Sequence, residues 1–348
     1  MGDMKFGIVN RIAASVALAL AAVAPGQASS DTLETAFDSA LGTDLRAPQD
    51  FTARYDNALS QRIAMIAEGS RGRIGVAAVD LVTGQEVAVL GDQRFPMAST
   101  SKIAIAATFL EGVDQGRFSL TSEYPLMVPV SSKPFSSAVA PVKAGTYHTA
   151  AELLELMLTR SSNTATDGLL KVVGGPAAVN DWARRAGITS YNLTRDIATL
   201  VRDDGEFDPS SHVDIRDSVT PRDMARLLAG LYQGKWLSPA SHDLLISTME
   251  KCRTGPRRIP ALLSAEVTVA HKTGSLNNTS SDVGIVTGPN GHPVAMAIYV
   301  TGQGARAKRE DRIAMIAREL YDGYGESARQ WASARYPAGG SATTVAAN

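Results

Sequence analysis

Short apolar runs rich in β-branched residues lie toward both ends of the chain, and the middle carries longer stretches of helical type. Residues 73–80 and 85–90 read as strands of a hairpin turning around Thr83-Gly84. Residues 282–287 and 293–300 read as a second hairpin around Pro289-Asn290-Gly291. With residues 267–275 these runs predict one antiparallel sheet. Helices at about 55–68 and 309–324 would flank it. The run Ile103-Ala-Ile-Ala-Ala-Thr-Phe-Leu110 is apolar on every side, which predicts a buried helix. Between about 100 and 259 the pattern is mostly helical. The clearest helix start there is Thr220-Pro221-Arg222-Asp223, a cap residue, a proline at the first position and an acid in the first turn. The ends (about 50–98 and 260–331) therefore make an α/β part, and the middle (about 99–259) an all-helical part. No internal repeat is visible.

Composition narrows the classes. The chain has 348 residues, 20% of them charged, with a formal net charge of −1, so no nucleic-acid footprint is present. Lys5 and Arg11, the apolar stretch from Ile12 to Ala24 and Pro25-Gly26-Gln27-Ala28 have the layout of a secretory signal. Residues 1–28 are thus expected to be a leader cleaved near Ala28, leaving a periplasmic or secreted domain at 29–331 with no stable membrane insertion. Residues 332–348 read as a flexible tail. Cys252 is the single cysteine, so no intrachain disulfide is possible, and it reads as a packed small hydrophobe. The histidines lack metal-ligand spacing, and neither a metal nor an organic cofactor is implied.

Chemistry concentrates in three motifs. Ser99-Thr100-Ser101-Lys102 stands at the start of the buried helix. A serine and a lysine three apart share a helix face, and the free N–H groups of a helix start favour developing negative charge. Ser161-Ser162-Asn163 follows the helical segment 149–160, and His271-Lys272-Thr273-Gly274-Ser275 ends the strand-like stretch 267–270. Each triplet alone carries little, but all three, in this order and on helix start, loop and strand, form a strong signal.

On these motifs the chain, from about 73 to 321, resembles the class A β-lactamase branch of the penicillin-recognising serine enzymes. The resemblance implies a β-lactamase/transpeptidase-like α/β fold, an antiparallel sheet flanked by helices plus an all-helical subdomain. It implies an acyl-enzyme on Ser99, Lys102 as base, and Ser161 as proton relay to the leaving nitrogen. Asn163 would bind the substrate's side-chain amide, Lys272 and Thr273 its carboxylate. The strand from Lys272 through Gly274 to Ser275 would pair with the substrate backbone. The backbone N–H groups of Ser99 and Ser275 would form the oxyanion hole. The implied partner is a small β-lactam or peptidoglycan-like molecule, and the implied state a monomer.

Two departures stand out. Ser162 replaces the family's aspartate, whose work is to organise its loop. The second concerns the Glu-x-x-Leu-Asn motif whose glutamate activates the water that clears the acyl-enzyme. Residues 192–211 contain no such motif. Glu206 is the only glutamate between Asn163 and Glu250, with Asp203, Asp204 and Asp208 close by, so Glu206 is the candidate deacylation base. Asp217 is expected to pin the loop base through an arginine. The reading is an exported serine β-lactamase-type hydrolase, slow to deacylate. The alternative is a D-alanyl-D-alanine peptidase or penicillin-binding protein that β-lactams acylate but that does not turn them over.

Overall fold

The structure, a computed structural model, describes residues 58–69 and 71–335, with side chains described through residue 325. The leader expected at 1–28 and residues 336–348 lie outside the described residues. In chain order the elements are α1 (Ala58–Ala67), β1 (Ile74–Asp80), β2 (Glu86–Val89), β3 (Phe95–Pro96), a 3-10 turn (Ala98–Ser101) and α2 (Lys102–Asp114). A hairpin of β4 (Glu123–Pro129) and β5 (Val142–Thr149) leads to α3 (Ala150–Thr159), α4 (Asn163–Val173), α5 (Pro176–Arg185) and α6 (Ile197–Arg202). After β6 (Ser218–Val219) come α7 (Pro221–Tyr232), α8 (Pro239–Glu250), β7 (Thr268–Leu276), β8 (Thr279–Thr287), β9 (Pro293–Thr301) and α9 (Arg306–Arg335).

The long strands form one antiparallel sheet in the order β2-β1-β9-β8-β7. Both of its faces are covered, so β9 is buried along its whole length and reads as an unbroken apolar run rather than an alternating one. Ala77, Ala297 and Tyr299 face the helical part, while Val76, Met296 and Ile298 pack under Ile313, Ile316 and Leu320 of α9. α2 runs through the middle of the helical part, and every residue from Ile103 to Leu110 is buried. Both sequence-predicted hairpins are present. The β4–β5 hairpin is not foreseen in a stretch that reads as helical. Its residues are mostly exposed or half-buried, so no apolar alternation marks it. α9 continues to Arg335, past the point where the expected tail begins.

Helix starts follow local chemistry. Thr149 and Glu152 close a reciprocal capping box on α3. Thr220 caps α7 through the Asp223 N–H, with Pro221 at the first position. Ser162 caps α4 by accepting from the Ala165 N–H at 3.2 Å. A serine is as good an N-cap as an aspartate, which accounts for its standing in that place.

The loop between α5 and α7 is pinned at its base. Asp217, buried and in the left-handed region at φ 48°, accepts from Thr194 N at 2.7 Å, Arg195 N at 3.1 Å and Arg195 Nε at 2.6 Å. Asp217 does therefore pair with an arginine. Its carbonyl accepts from Met97 N at 2.9 Å, and β3 pairs with β6 beside it, so the loop exit and the Ser99 turn are one unit. Replacing Asp217 by alanine strands the half-buried Arg195 guanidinium and several N–H groups. We expect a loss of about 3 kcal/mol, read as a lower midpoint in urea unfolding.

Candidate active site

Ser99 lies in the 3-10 turn that leads into α2 and is half-buried. The residue before it, Ala98, has φ 47°, and Ser161 has φ 57°. Both are non-glycine residues held in the left-handed region, which the surrounding structure must over-determine. Lys102 opens α2 and is fully buried. Its Nζ donates to Ser161 O at 2.8 Å, Ser161 Oγ at 3.1 Å and Asn163 Oδ1 at 2.8 Å. Lys272, on β7 and also fully buried, donates from Nζ to the same Ser161 Oγ at 2.9 Å and to Thr273 O at 2.9 Å. The two amines thus meet on one hydroxyl.

Burial is the main influence on their protonation. Burial pushes Lys102 well below the ordinary lysine range, and the Lys272 charge pushes it further. Burial also brings Lys272 down to about 8, against the raising influence of Cys252 and Asp282. A buried amine with lowered proton affinity can accept a proton from a serine at neutral pH.

β7 is the outer strand of the sheet and carries the third motif along the site. Gly274 is there for a steric reason: a Cβ would sit 2.8 Å from Met97 O and 3.1 Å from Ala98 Cβ. Only glycine lets the strand approach the Ser99 turn this closely. Thr273 Oγ1 hydrogen-bonds Thr254 Oγ1 at 2.6 Å, and Ser275 Oγ accepts from Arg258 Nη2 at 2.7 Å. Arg258 is fully buried, paired with Glu310, and also donates to Gly274 O at 2.9 Å and Ser281 O at 2.8 Å. It fixes the end of β7 from behind. Its sequence context, Pro256-Arg257-Arg258, carries no motif that would single it out.

The structure therefore brings Lys102, Ser161, Asn163, Lys272 and Thr273 into one connected network on the Ser99 turn, with Gly274 and Ser275 on the adjoining strand. Glu206 is not part of that network. Its carboxylate accepts from Arg216 Nη2 at 2.6 Å, and it lines a small cavity under the loop with Phe207, Arg216 and Asp217. The neighbouring acids are likewise engaged. Asp203 pairs with Arg202 and accepts from Phe135 N at 2.9 Å, Asp204 accepts from Asn277 N at 2.7 Å, and Asp208 accepts from Asn278 Nδ2 at 2.8 Å. The Asp204 and Asp208 bonds strap the loop to the β7–β8 turn, and the Asp203 bond ties it to the β4–β5 connection.

Behind β7, His271 is buried and held by Asp282 at 2.9 Å. Burial works against its imidazolium, but the Asp282 charge and hydrogen bond, with a hydrogen bond to Cys252, raise it to about 10. Cys252 also contacts Thr254 Oγ1 at 3.3 Å. The cysteine is thus a hydrogen-bonded member of the support beneath Lys272 and Thr273, not the plain apolar filler its sequence context suggests.

A model of the β-lactamase enzyme family matches residues 58–324. A β-lactamase of Proteus vulgaris is 29% identical over 77% of this chain and 87% of its own length. The extended-spectrum β-lactamase PER-1 of Pseudomonas aeruginosa is 28% identical over 78% of this chain and 88% of its own. Among solved structures, a β-lactamase from Chitinophaga pinensis superposes with a TM-score of 0.67 at 30% identity, covering 77% of this chain and all of its own. The class A β-lactamase of the last common ancestor of Gram-negative bacteria gives a TM-score of 0.65 at 35% identity, over 77% of this chain. The sheet and the helical part are those of the class A β-lactamases. This chain belongs to the β-lactamase enzyme family.

Gly274→Ala tests the close approach on which the centre depends. The added methyl must displace the Ser281 hydroxyl and either β7 or the Ser99 turn, at a cost of about 1–3 kcal/mol. A fall in melting temperature together with a loss of β-lactam hydrolysis is the expected result.

Proposed function

We propose that the chain is an exported serine β-lactamase that opens β-lactam rings through an acyl-enzyme on Ser99. The observation that carries this reading is the convergence of Lys102 and Lys272 on Ser161 Oγ beside the Ser99 turn. A neutral Lys102 takes the Ser99 hydroxyl proton as Oγ adds to the lactam carbonyl. Ser161, bonded to both amines, passes a proton to the ring nitrogen as the C–N bond breaks. The Lys272 cation attracts the substrate carboxylate, with Thr273 beside it. The N–H groups of Ser99 and Ser275 receive the oxyanion.

The homologues support hydrolysis of β-lactams, and the family relationship with exported enzymes supports the leader at residues 1–28. Glu206 is held by Arg216 away from the lysine network, which supports slow release of the acyl group rather than a fast loop-driven step.

With a chromogenic cephalosporin, Ser99→Ala should abolish both hydrolysis and the covalent adduct seen by intact-protein mass spectrometry. Glu206→Gln should leave turnover within about twofold, as expected of a solvated surface pair. A trapped adduct in the glutamine variant would restore Glu206 as the base. An undiminished adduct in Ser99→Ala would end the proposal.

A further inference from the structure

The cavity under the loop carries polar groups that the fastening of the loop does not use. It holds about 70 Å³, where a single water needs only about 10–15 Å³. Pro96 of β3, Leu200 of α6, Leu276 at the end of β7 and Thr279 of β8 line it, and loop residues between Arg195 and Asp217 make up the rest. Thr279 is 1% exposed, and its hydroxyl has no hydrogen-bond partner among the described residues. A buried hydroxyl left without a partner is costly, and this one stands on the wall of a space larger than one water fills.

The charged side chains around the cavity are paired, with two exceptions. Four of its five lining carboxylates are held by arginines: Asp203 by Arg202, Glu206 and Asp214 by Arg216, and Asp217 by Arg195. Asp204 is the fifth. It is exposed, accepts from Asn277 N at 2.7 Å and forms no ion pair among the described residues. The other exception is the outer end of Arg195. Its Nε is used on Asp217 at 2.6 Å, while its two terminal nitrogens donate to no acceptor among the described residues. A guanidinium fork of this kind matches the geometry of a carboxylate. Arg195 and Asp204 line the same cavity without pairing with each other.

We propose that this cavity is a second binding site, separate from the Ser99 centre, for a small zwitterion: a free amino acid of glycine or alanine size. Its carboxylate lies on the Arg195 fork and accepts from the Thr279 hydroxyl. Its ammonium lies on Asp204, and a methyl packs against Leu200 and Leu276. A plain anion would face the Asp204 carboxylate and a plain cation the Arg195 guanidinium, so only a ligand with both charges satisfies the two together. The bound molecule joins the loop to β8, in addition to the ties at Asp217 and at the β7–β8 turn. Pro96 precedes Met97, whose N–H is held by the Asp217 carbonyl at 2.9 Å, so the cavity backs onto the segment that leads into the Ser99 turn. Binding here is non-covalent and does not depend on the Ser99 acyl-enzyme reading.

Amide NMR of the 15N-labelled protein, titrated with glycine, L-alanine and D-alanine, tests the proposal. Propionate and ethylamine serve as probes that each lack one of the two charges. At least one of the amino acids should bind in the millimolar range, with shifts concentrated in the loop from Arg195 to Asp217 and in the β7–β8 turn. Propionate and ethylamine should bind roughly tenfold more weakly or not at all. Thr279→Val removes a hydroxyl that bonds nothing else in the protein, and Asp204→Asn keeps an acceptor for Asn277 N, so both leave the fold's own bonds in place. Each should weaken the amino acid by roughly tenfold. If none of the three amino acids binds the wild type, the cavity holds water only and the proposal is overturned. Propionate or ethylamine binding as tightly as the amino acid would overturn it too, because one charge would then suffice. Binding that is unchanged in either variant would place the ligand elsewhere, with the same consequence.

Discussion

Two ammonium-bearing side chains are buried against a single hydroxyl, and much of the structure exists to make that arrangement tolerable. Removing an ammonium from water costs several kcal/mol after relaxation, and here two are removed side by side. Part of the cost is offset by hydrogen bonds to Ser161, Asn163 and Thr273. The remainder lowers the proton affinity of both lysines, which is the property a base needs. Carboxylates at one remove, Asp167 toward Lys102 and Asp282 toward Lys272, limit how far they fall.

Holding three separate chain segments to this geometry requires backbone conformations that an unconstrained chain avoids. Ala98, Ser161 and Asp217 all have positive φ, and each stands at a junction: before Ser99, between α3 and α4, and at the loop exit. The strain is carried by rigid neighbours. α2 is buried along its apolar run, β7 is backed by Arg258 and joined to β8 by its own His271 through Asp282, and the loop is fastened at its base and at the β7–β8 turn. Side chains on such supports are held in place by the fold itself.

What the sequence made legible is what is encoded locally. The two hairpins, the buried helix, the α7 cap and the three motifs each occupy a few contiguous residues, and all are where the pattern placed them. The β4–β5 hairpin was hidden because its mostly exposed strands have no buried face to impose alternation. Arg258, Thr254 and Asp167 were hidden for another reason. An arginine, a threonine and an aspartate in helices and loops are ordinary surface residues until tertiary packing buries or half-buries them against the site. The acid-rich loop is the opposite case. Its charge density suggested a base, but its carboxylates are used on arginines and amide N–H groups to hold the loop in place.

The central claim, that burial leaves both site lysines with lowered proton affinity and that the Lys272 charge lowers Lys102 further, can be measured directly. The two amines would be followed by NMR titration of 15N-lysine-labelled protein carrying Ser99→Ala, with Lys102 and Lys272 assigned by single replacements. The account predicts that Lys272 titrates near 8 and that Lys102 loses its proton well below the ordinary lysine range. Two lysines that both stay charged past pH 10 would contradict it, because neither could then accept the Ser99 proton at neutral pH.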